Sequence, residues 1–355
     1  MFESSFLSSL IGFFVVLTPL IFIHELGHYF AAVKSGVKVE TFSIGFGPEI
    51  FGYTDKKNTR WKFSLIPLGG YVKMKGELIN ISKEIKKETY YKDTFLQAKL
   101  FSRFFIVLSG PIANLLLGIL LIMGLYFFNG RYVSPPIINE VIQSKPAMQS
   151  GLISGDKILS INNKKINDFY DLKEIVEHNP NKNLSFEVLR NNDIFYLNVI
   201  PDGYNVGPNK IVGRIGITAV SPELKQLTIS AALKFGLKDS INMTIEWFQG
   251  LRSLFTLGVD KKDVMGPVGI AKISGTSLDR GLASIIFLMA ILSINLGLIN
   301  LLPIPALDGG YIMMFIYELI FRKPISSKIQ LILLKFGFLF LISLMILVTA
   351  FDLGL

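Results

Sequence analysis

The chain has 355 residues, of which 50% are hydrophobic and 18% charged, and its formal net charge is +9. Such a charge can indicate nucleic-acid binding, but the sequence has no basic aromatic patch or nucleic-acid motif, and basic loops flank the spans of most membrane proteins. Cysteine is absent, which excludes disulfides and thiolate ligands and leaves His, Asp and Glu for any bound metal. We therefore predict a protein of the lipid bilayer with no nucleic-acid partner.

Four segments are apolar and long enough to cross a bilayer, because about 20 apolar residues span it as a helix. The predicted spans are residues 6–35, 104–127, 282–302 and 331–350. We interpret the first as a retained span and not a signal peptide, since its N-terminal flank has no positive charge. The loops after the first and third spans are basic, which predicts that they face the cytoplasm and that both termini and the long insert lie outside.

The first span contains the sequence His24-Glu25-Leu26-Gly27-His28. Histidines at positions i and i+4 share one face of a helix and can bind one metal ion, and the adjacent glutamate can accept a proton from metal-bound water. Ionisable groups at membrane depth are costly and are functional candidates by default. The motif therefore predicts a zinc hydrolase inside the bilayer, with Glu25 as the general base.

Two β-like stretches follow the first span, at roughly 41–53 and 60–76, on either side of a turn-like segment. This pattern predicts a β-hairpin. We expect the hairpin, which carries Gly69 and Gly70, to receive an extended substrate as an added strand. Residues 78–99 are polar and charged and are expected to form a surface segment or a surface helix.

The insert between the second and third spans contains two regions. Residues 137–202 alternate β-branched residues with turn signals and include one helical stretch at 168–178, which predicts a small globular domain. Residues 227–257 have apolar positions at helical spacing. They predict an amphipathic helix that covers the protein or lies along the membrane surface.

A catalytic zinc has three protein ligands and one open position for water. The only histidine outside the motif, His178, lies in the insert, on the opposite side of the membrane by the predicted topology. Asp308 is the better candidate for the third ligand. It follows a proline-interrupted segment at a similar depth and precedes two glycines that allow close backbone approach. We therefore predict that His24, His28 and Asp308 bind zinc, with water as the fourth ligand.

Four further residues near Asp308 are candidates for the substrate site. Asn295 and Asn300 lie on the approach to it, where an Asn side chain can hydrogen-bond a substrate backbone or an oxyanion. The alternative is that both residues bond neighbouring helices. Pro303 and Pro305 break the helix, and irregular backbone at membrane depth is tolerated where protein or a polar cavity covers it. We expect these prolines to shape the substrate site.

These features together resemble the site-2 protease family of intramembrane zinc metalloproteases, in particular its bacterial regulator-of-sigma-E branch. The segments that carry the resemblance, in family order, are His24–His28, Phe42–Pro48, Pro67–Val72, Ser109–Asn114, Gly266–Ile270 and Asn300–Gly310. Asn114 is expected to hold the second span against its neighbours; the alternative is that it contacts the substrate or the metal site. The resemblance implies a metalloendopeptidase that uses Zn²⁺. Its implied substrates are single-pass membrane proteins, such as an anti-sigma factor or a leftover signal peptide, cleaved within the transmembrane segment in regulated intramembrane proteolysis.

Part of the insert, Pro146–Asn162, resembles a PDZ domain. PDZ domains bind extended peptides by strand addition, and in this family the resemblance implies a size filter. It also implies a multi-pass protein of the bacterial inner membrane, with the active site toward the cytoplasm and the PDZ-like domain outside. The chain departs from its relatives in two respects: it has one PDZ-like domain where the best-known relatives have two, and Tyr311 stands where some carry histidine.

The predicted fold is a polytopic α-helical membrane protein with four transmembrane helices, a membrane-associated β-hairpin and one inserted PDZ-like α+β domain. The expected parts are the first span (1–35), a cytoplasmic loop with the hairpin (36–103), the second span (104–127), the PDZ-like domain (128–205), an amphipathic segment (206–280), the third span with the Leu-Asp-Gly motif (281–310), and a connecting segment with the fourth span (311–355).

Two other functions are compatible with some of these features. A transporter could use His24, Glu25 and His28 as a proton or metal pathway, but it predicts internal repeats across the spans, and we find none. A catalytically inactive scaffold could use its PDZ-like domain to bind partners, but it predicts the loss of Glu25 or of a ligand, and all of these residues are present.

Overall fold

The computed structural model describes residues 5–76, 93–207, 210–256 and 265–354. The chain divides into two compact units. Unit 1 comprises Met1–Leu125, Ala232–Gly250 and Val259–Leu355, and unit 2 comprises Tyr126–Ala231 and Leu251–Gly258. Unit 1 therefore contains the hairpin and most of each apolar helix, and unit 2 contains most of the insert.

The secondary structure alternates long apolar helices with short strands. The helices are α1 (Phe6–Lys34), α2 (Leu100–Asn129), α3 (Pro146–Gln149), α4 (Phe169–Glu177), α5 (Ile229–Thr256), α6 (Pro267–Arg280), α7 (Leu282–Asn300), α8 (Asp308–Phe321) and α9 (Ser327–Asp352). The strands are β1 (Val39–Thr54), β2 (Arg60–Met74), β3 (Arg131–Val133), β4 (Ile138–Val141), β5 (Lys157–Ile161), β6 (Lys164–Lys165), β7 (Leu184–Arg190), β8 (Asp193–Val199), β9 (Asp202–Gly207), β10 (Lys210–Arg214), β11 (Ile217–Ala219) and β12 (Glu223–Lys225).

Four helices, α1, α2, α7 and α9, are long and apolar enough to cross a membrane. They coincide with the four predicted spans. α1 and α2 each continue through an internal proline, Pro19 and Pro111. α7 ends at Asn300, ahead of Pro303 and Pro305, as expected from residues that break a helix.

Two helices, α6 and α8, differ from the sequence expectation, which placed a single amphipathic segment at 206–280 and a connecting segment after 310. α6 packs against α1 through small residues. A Cβ on Gly12 would lie 2.6 Å from the Ser274 carbonyl, and a Cβ on Gly275 would lie 2.7 Å from the Ser9 backbone. Packing of this kind depends on close backbone approach, so hydrophobic periodicity does not reveal it.

The hairpin of β1 and β2 is confirmed, and each of its long strands pairs twice. Residues 60–63 pair with 51–54 and also with 41–44, and 41–44 pair in turn with 70–73. In the described part of the chain, 70–73 have strand partners on one side only. The hairpin therefore ends in an open sheet edge.

Aromatic packing and an acidic turn hold the hairpin in shape. The rings of Phe42 and Trp61 stack with centroids 4.4 Å apart, and Tyr29 of α1 packs on Trp61 at 4.9 Å. The turn carboxylate of Asp55 accepts hydrogen bonds from the Trp61 indole and from the backbone N–H groups of Thr59 and Lys57, which lower the pKa of Asp55. The expected surface segment 78–99 lies for the most part outside the described residues, and its described end contains a short 3-10 turn, Phe95–Gln97.

Unit 2 is an α+β unit built on a four-stranded sheet in the order β6-β5-β7-β8. The predicted helix at 168–178 is α4, whose first turn is capped by Asp168. The core includes Ile158, Leu172 and Phe186, all nearly inaccessible. Beside it the buried Asp156 carboxylate accepts hydrogen bonds from the Arg190 guanidinium at 2.7 and 2.8 Å.

The strands of unit 2 continue past residue 205, where the sequence expectation ended the domain. β11 pairs with β4, and β12 pairs with β3. The described residues of segment 206–225 thus contain short strands and are not part of an amphipathic helix. Helix α5 begins only at Ile229. The short strands escape a search for helical periodicity because each contains only three to five residues.

Candidate metal centre

The side chains of His24, His28 and Asp308 meet inside unit 1. The two histidines lie one turn apart on α1, and Asp308 is the first residue of α8. His24 Nε2 lies 3.1 Å from Asp308 Oδ2, His28 Nε2 lies 3.5 Å from Asp308 Oδ1, and the two Nε2 atoms are 3.2 Å apart. Both imidazoles are buried. Among the described residues, these three side chains form the cluster of His, Asp and Glu ligands that could hold a metal ion.

A strained loop and two glycines bring Asp308 to the histidines. Ala306 has a φ of 83°, a left-handed conformation that is uncommon for a residue with a side chain and is often found at functional sites. A Cβ on Gly310 would lie 2.6 Å from the Ile304 carbonyl oxygen, and a Cβ on Gly309 would lie 2.5 Å from that of Leu301. The expectation that these glycines permit close backbone approach is confirmed.

Hydrogen bonds on the far side of each imidazole orient the rings. His28 Nδ1 lies 2.9 Å from the carbonyl oxygen of Ile106 on α2. A carbonyl can only accept, so Nδ1 carries a proton, which leaves Nε2 as the nitrogen that faces Asp308. His24 Nδ1 lies 3.4 Å from the side-chain amide of Asn114, also on α2. A metal-binding histidine is commonly held in this way by its second nitrogen.

The three donors fit a zinc ion. Zinc bonds of about 2.0–2.2 Å to nitrogen and oxygen in a tetrahedron place neighbouring ligand atoms about 3.3 Å apart. The separations among His24, His28 and Asp308 are 3.1, 3.2 and 3.5 Å. Nitrogen and oxygen ligands of this kind are those that zinc takes in hydrolytic sites, where one position stays open. The residues present therefore fit the metal.

A cavity of about 560 Å³ opens beside the three donors. Its walls come from α1, the open edge of β2, α7 and the loop before α8, and they include Glu25, Gly69, Gly70, Tyr71 and Asn300. Glu25 is buried. The cavity therefore places a carboxylate, an amide and a sheet edge around one space.

Gly70 lets the sheet edge approach Glu25. A Cβ on Gly70 would lie 2.9 Å from Glu25 Cγ and 2.8 Å from the Ser43 carbonyl oxygen. Gly69 has a φ of 122° and lies against the ring of Phe46. Both positions thus require glycine.

The other sequence-predicted site residues divide into two groups. Asn300 lines the cavity, and its amide lies 3.5 Å from His24 Nε2. Asn295, Pro303 and Pro305 are not among the residues that line it. His178 ends α4 in unit 2, where its Nδ1 lies 2.7 Å from the Glu174 carbonyl oxygen.

Sequence reasoning missed residues that support the centre from outside. Gly110 on α2 faces His28, where an added Cβ would overlap the imidazole. Gly337 on α9 faces the loop before Asp308, where an added Cβ would overlap the carbonyl of Pro305. Gly110 could have been suspected from its place in the Ser109–Asn114 segment, but Gly337 lies in no motif.

An ion pair between the buried Arg103 and the half-buried Glu318 also fixes α8. The Arg103 guanidinium on α2 donates to both carboxylate oxygens of Glu318 at 2.6 and 3.1 Å. Arg103 also donates to the Ala98 carbonyl and lies over the ring of Phe315. The pair ties the helix that begins with Asp308 to the helix that contacts both histidines.

Two histidines one helical turn apart, a distant carboxylate and an adjacent glutamate facing a cavity form the donor set of a metal-dependent hydrolase. Comparison with known proteins agrees with this class and narrows it. The family model described as peptidase family M50 matches residues 12–344. The chain belongs to this family, the site-2 protease family, and is a zinc metalloendopeptidase.

Two relatives match almost end to end. A protein of Rickettsia conorii named as a zinc metalloprotease is 39% identical over 97% of this chain and 98% of its own length. A protein of Enterococcus faecalis named as the protease Eep is 34% identical over 98% of this chain and 99% of its own length. Among solved structures, the PDZ domain of the SdrC-like protein of Listeria monocytogenes covers 25% of this chain and 90% of its own length, at 16% identity and a TM-score of 0.21.

Proposed function

We propose that this zinc metalloendopeptidase cleaves peptide bonds within the transmembrane segments of single-pass membrane proteins. An anti-sigma factor or a leftover signal peptide is the expected kind of substrate, and the cleavage belongs to regulated intramembrane proteolysis. The observation that carries the proposal is the meeting of His24, His28 and Asp308 at one point, inside a unit whose helices can span a bilayer. Costly polar groups at such a depth are expected to serve chemistry.

In this proposal His24, His28 and Asp308 hold the zinc, and Glu25 is the general base. The zinc held there would supply a coordinated water of lowered pKa and a Lewis acid for the scissile carbonyl. Glu25 would accept a proton from the attacking water and deliver one to the leaving amine. Asn300 is proposed to donate from its amide to the oxyanion, because it lies in the cavity wall next to His24.

The open edge at 70–73 is proposed to hold the substrate. A helical transmembrane segment hides its peptide bonds behind its own hydrogen bonds, so the segment must be extended before cleavage. Strand addition to an open edge supplies partners for the extended backbone. The edge lines the cavity beside the metal centre through Gly70 and Tyr71. Asn295, Pro303 and Pro305 do not line the cavity, and we propose that they act only by shaping the backbone around it.

The proposal is tested with purified protein in detergent and a model transmembrane substrate. Wild-type protein should hold about one zinc per chain and cleave the substrate. Glu25→Gln should retain zinc and lose cleavage, because it removes only the base. His24→Ala and Asp308→Asn should lose zinc. Normal cleavage by Glu25→Gln, or full zinc occupancy in Asp308→Asn, would contradict the assigned roles. Membrane proteomics of cells with wild-type or Glu25→Gln protein should then identify the substrate.

We also propose that the protein lies in the bacterial inner membrane, with the membrane-associated hairpin on the cytoplasmic side and unit 2, as a PDZ-like domain, outside. The chain has no cysteine, so single cysteines report position without background. Lys57→Cys in the hairpin turn should resist a membrane-impermeant maleimide in spheroplasts. Tyr196→Cys, at an exposed position of unit 2, should react. The reverse pattern would refute this topology.

A further inference from the structure

Asn114 makes a contact with the metal centre that neither the motif nor helix packing explains. Its side-chain amide lies 3.4 Å from His24 Nδ1, and the residue is completely buried. Its Oδ1 is the buried side-chain atom without a hydrogen-bond partner in the described chain. A buried acceptor left in this state costs about 1–3 kcal/mol, so its presence needs an explanation.

The proton on His24 supplies that explanation. His24 Nε2 faces Asp308 and His28, so a metal held there requires the lone pair of Nε2. A neutral imidazole then carries its proton on Nδ1, and this N–H needs an acceptor. An Asn amide offers an oxygen on one side and a nitrogen on the other, and the two ends have nearly the same shape.

We propose that, when zinc is bound, Asn114 turns Oδ1 toward His24 Nδ1 and accepts a hydrogen bond from its N–H, which makes Asn114 a positioning residue for the metal. In the opposite orientation the amide would donate to Nδ1 and force the proton onto Nε2, where it would exclude the metal. The assignment rests on the proposed ligand role of His24. The backbone carbonyl of Ile106 does the same for His28 at 2.9 Å.

The two histidines therefore differ in how they are held. A main-chain carbonyl orients His28, and no substitution removes it. A side chain orients His24, so this contact is open to mutation. Ser293 offers a matched control, because its hydroxyl donates to the backbone carbonyl of Asn114 at 2.7 Å and ties α7 to α2 without touching either imidazole.

The experiment measures the zinc dissociation constant of full-length protein in detergent by competition with a chelator of known affinity. Asn114→Leu removes the acceptor at similar size and should weaken zinc binding about 10- to 100-fold. Asn114→Asp keeps the acceptor and removes the donor, and it should bind zinc at least as tightly as wild type. Ser293→Ala should leave zinc binding unchanged, since it loses only a helix contact.

Each outcome either supports or contradicts the acceptor role of Asn114. Rescue by Asn114→Asp supports the acceptor role, and equal loss in the Leu and Asp variants overturns it. Tight zinc binding by Asn114→Leu also overturns it. His24→Ala measured in parallel separates this inference from the proposed function: if His24→Ala binds zinc like wild type, the ligand assignment itself fails, whereas if it loses zinc and Asn114→Leu does not, only the role of Asn114 fails.

Discussion

Replacing Gly110 by alanine should remove zinc from the centre. The new Cβ would lie 2.5 Å from His28 Cε1 and 2.8 Å from Cδ2, and closer still to Nε2. Carbon atoms in contact prefer about 3.5 Å, so the imidazole must move by about 1 Å. Helix α2 cannot retreat easily, because the Ile106 carbonyl on the same helix holds His28 Nδ1.

A displacement of about 1 Å exceeds what a zinc bond tolerates. Metal-ligand distances hold to within about 0.2 Å, so Gly110→Ala should cost one of three protein ligands. Changes that merely disturb ligand orientation weaken metal binding about 10- to 100-fold. We therefore expect a loss of at least about 100-fold in zinc affinity, or about 2.7 kcal/mol at 1.36 kcal/mol per decade.

The assay is chelator competition for zinc together with cleavage of a model transmembrane substrate. Gly124→Ala is the matched control, because it makes the same change on the same helix where an added Cβ meets nothing within 4 Å. It should keep zinc and activity and be slightly more stable, since alanine favours a helix over glycine by about 0.5–1 kcal/mol. If Gly110→Ala binds zinc as Gly124→Ala does, the imidazole is not confined as described.

Three further results are expected. Gly337→Ala should reduce cleavage about 100-fold, because its Cβ would overlap the Pro305 carbonyl and displace the loop that carries Asp308; activity equal to wild type would contradict this. Arg103→Leu should lower the free energy of unfolding by about 2 kcal/mol, because it leaves the half-buried Glu318 carboxylate without this partner, and the double variant with Glu318→Leu should recover most of the loss in a thermal unfolding assay. Zinc at 100 times its dissociation constant should stabilise wild type by about 2.7 kcal/mol, and Asp308→Asn should show a much smaller response.

Much of the secondary structure of this protein can be predicted from its local sequence. Four apolar segments and a β-hairpin can be predicted, because their signals are composition and periodicity within about 20 residues. Two of the proposed zinc ligands can also be identified from the sequence, since His24 and His28 lie on one turn of one helix. Asp308 could be proposed from its depth after the proline-interrupted segment and from the two glycines that follow it, once His178 had been set aside.

Long-range packing decides the rest. Asp308 reaches His24 across 284 positions in the chain through a left-handed residue, Ala306. Helix α6 joins α1 through small residues that carry no periodic signal. Such features depend on which surfaces approach one another, and no local pattern encodes that.

Long-range packing also decides which of the candidate residues reach the site. Asn300 faces the cavity whereas Asn295, five positions earlier on α7, does not, although both are asparagines on one apolar helix. Gly110 and Asn114 on α2 act on the histidines only because α2 lies against α1. The residue types that could serve the chemistry can be identified from the sequence. Which of them lie at the proposed metal centre depends on the packing of helices that are distant in the chain.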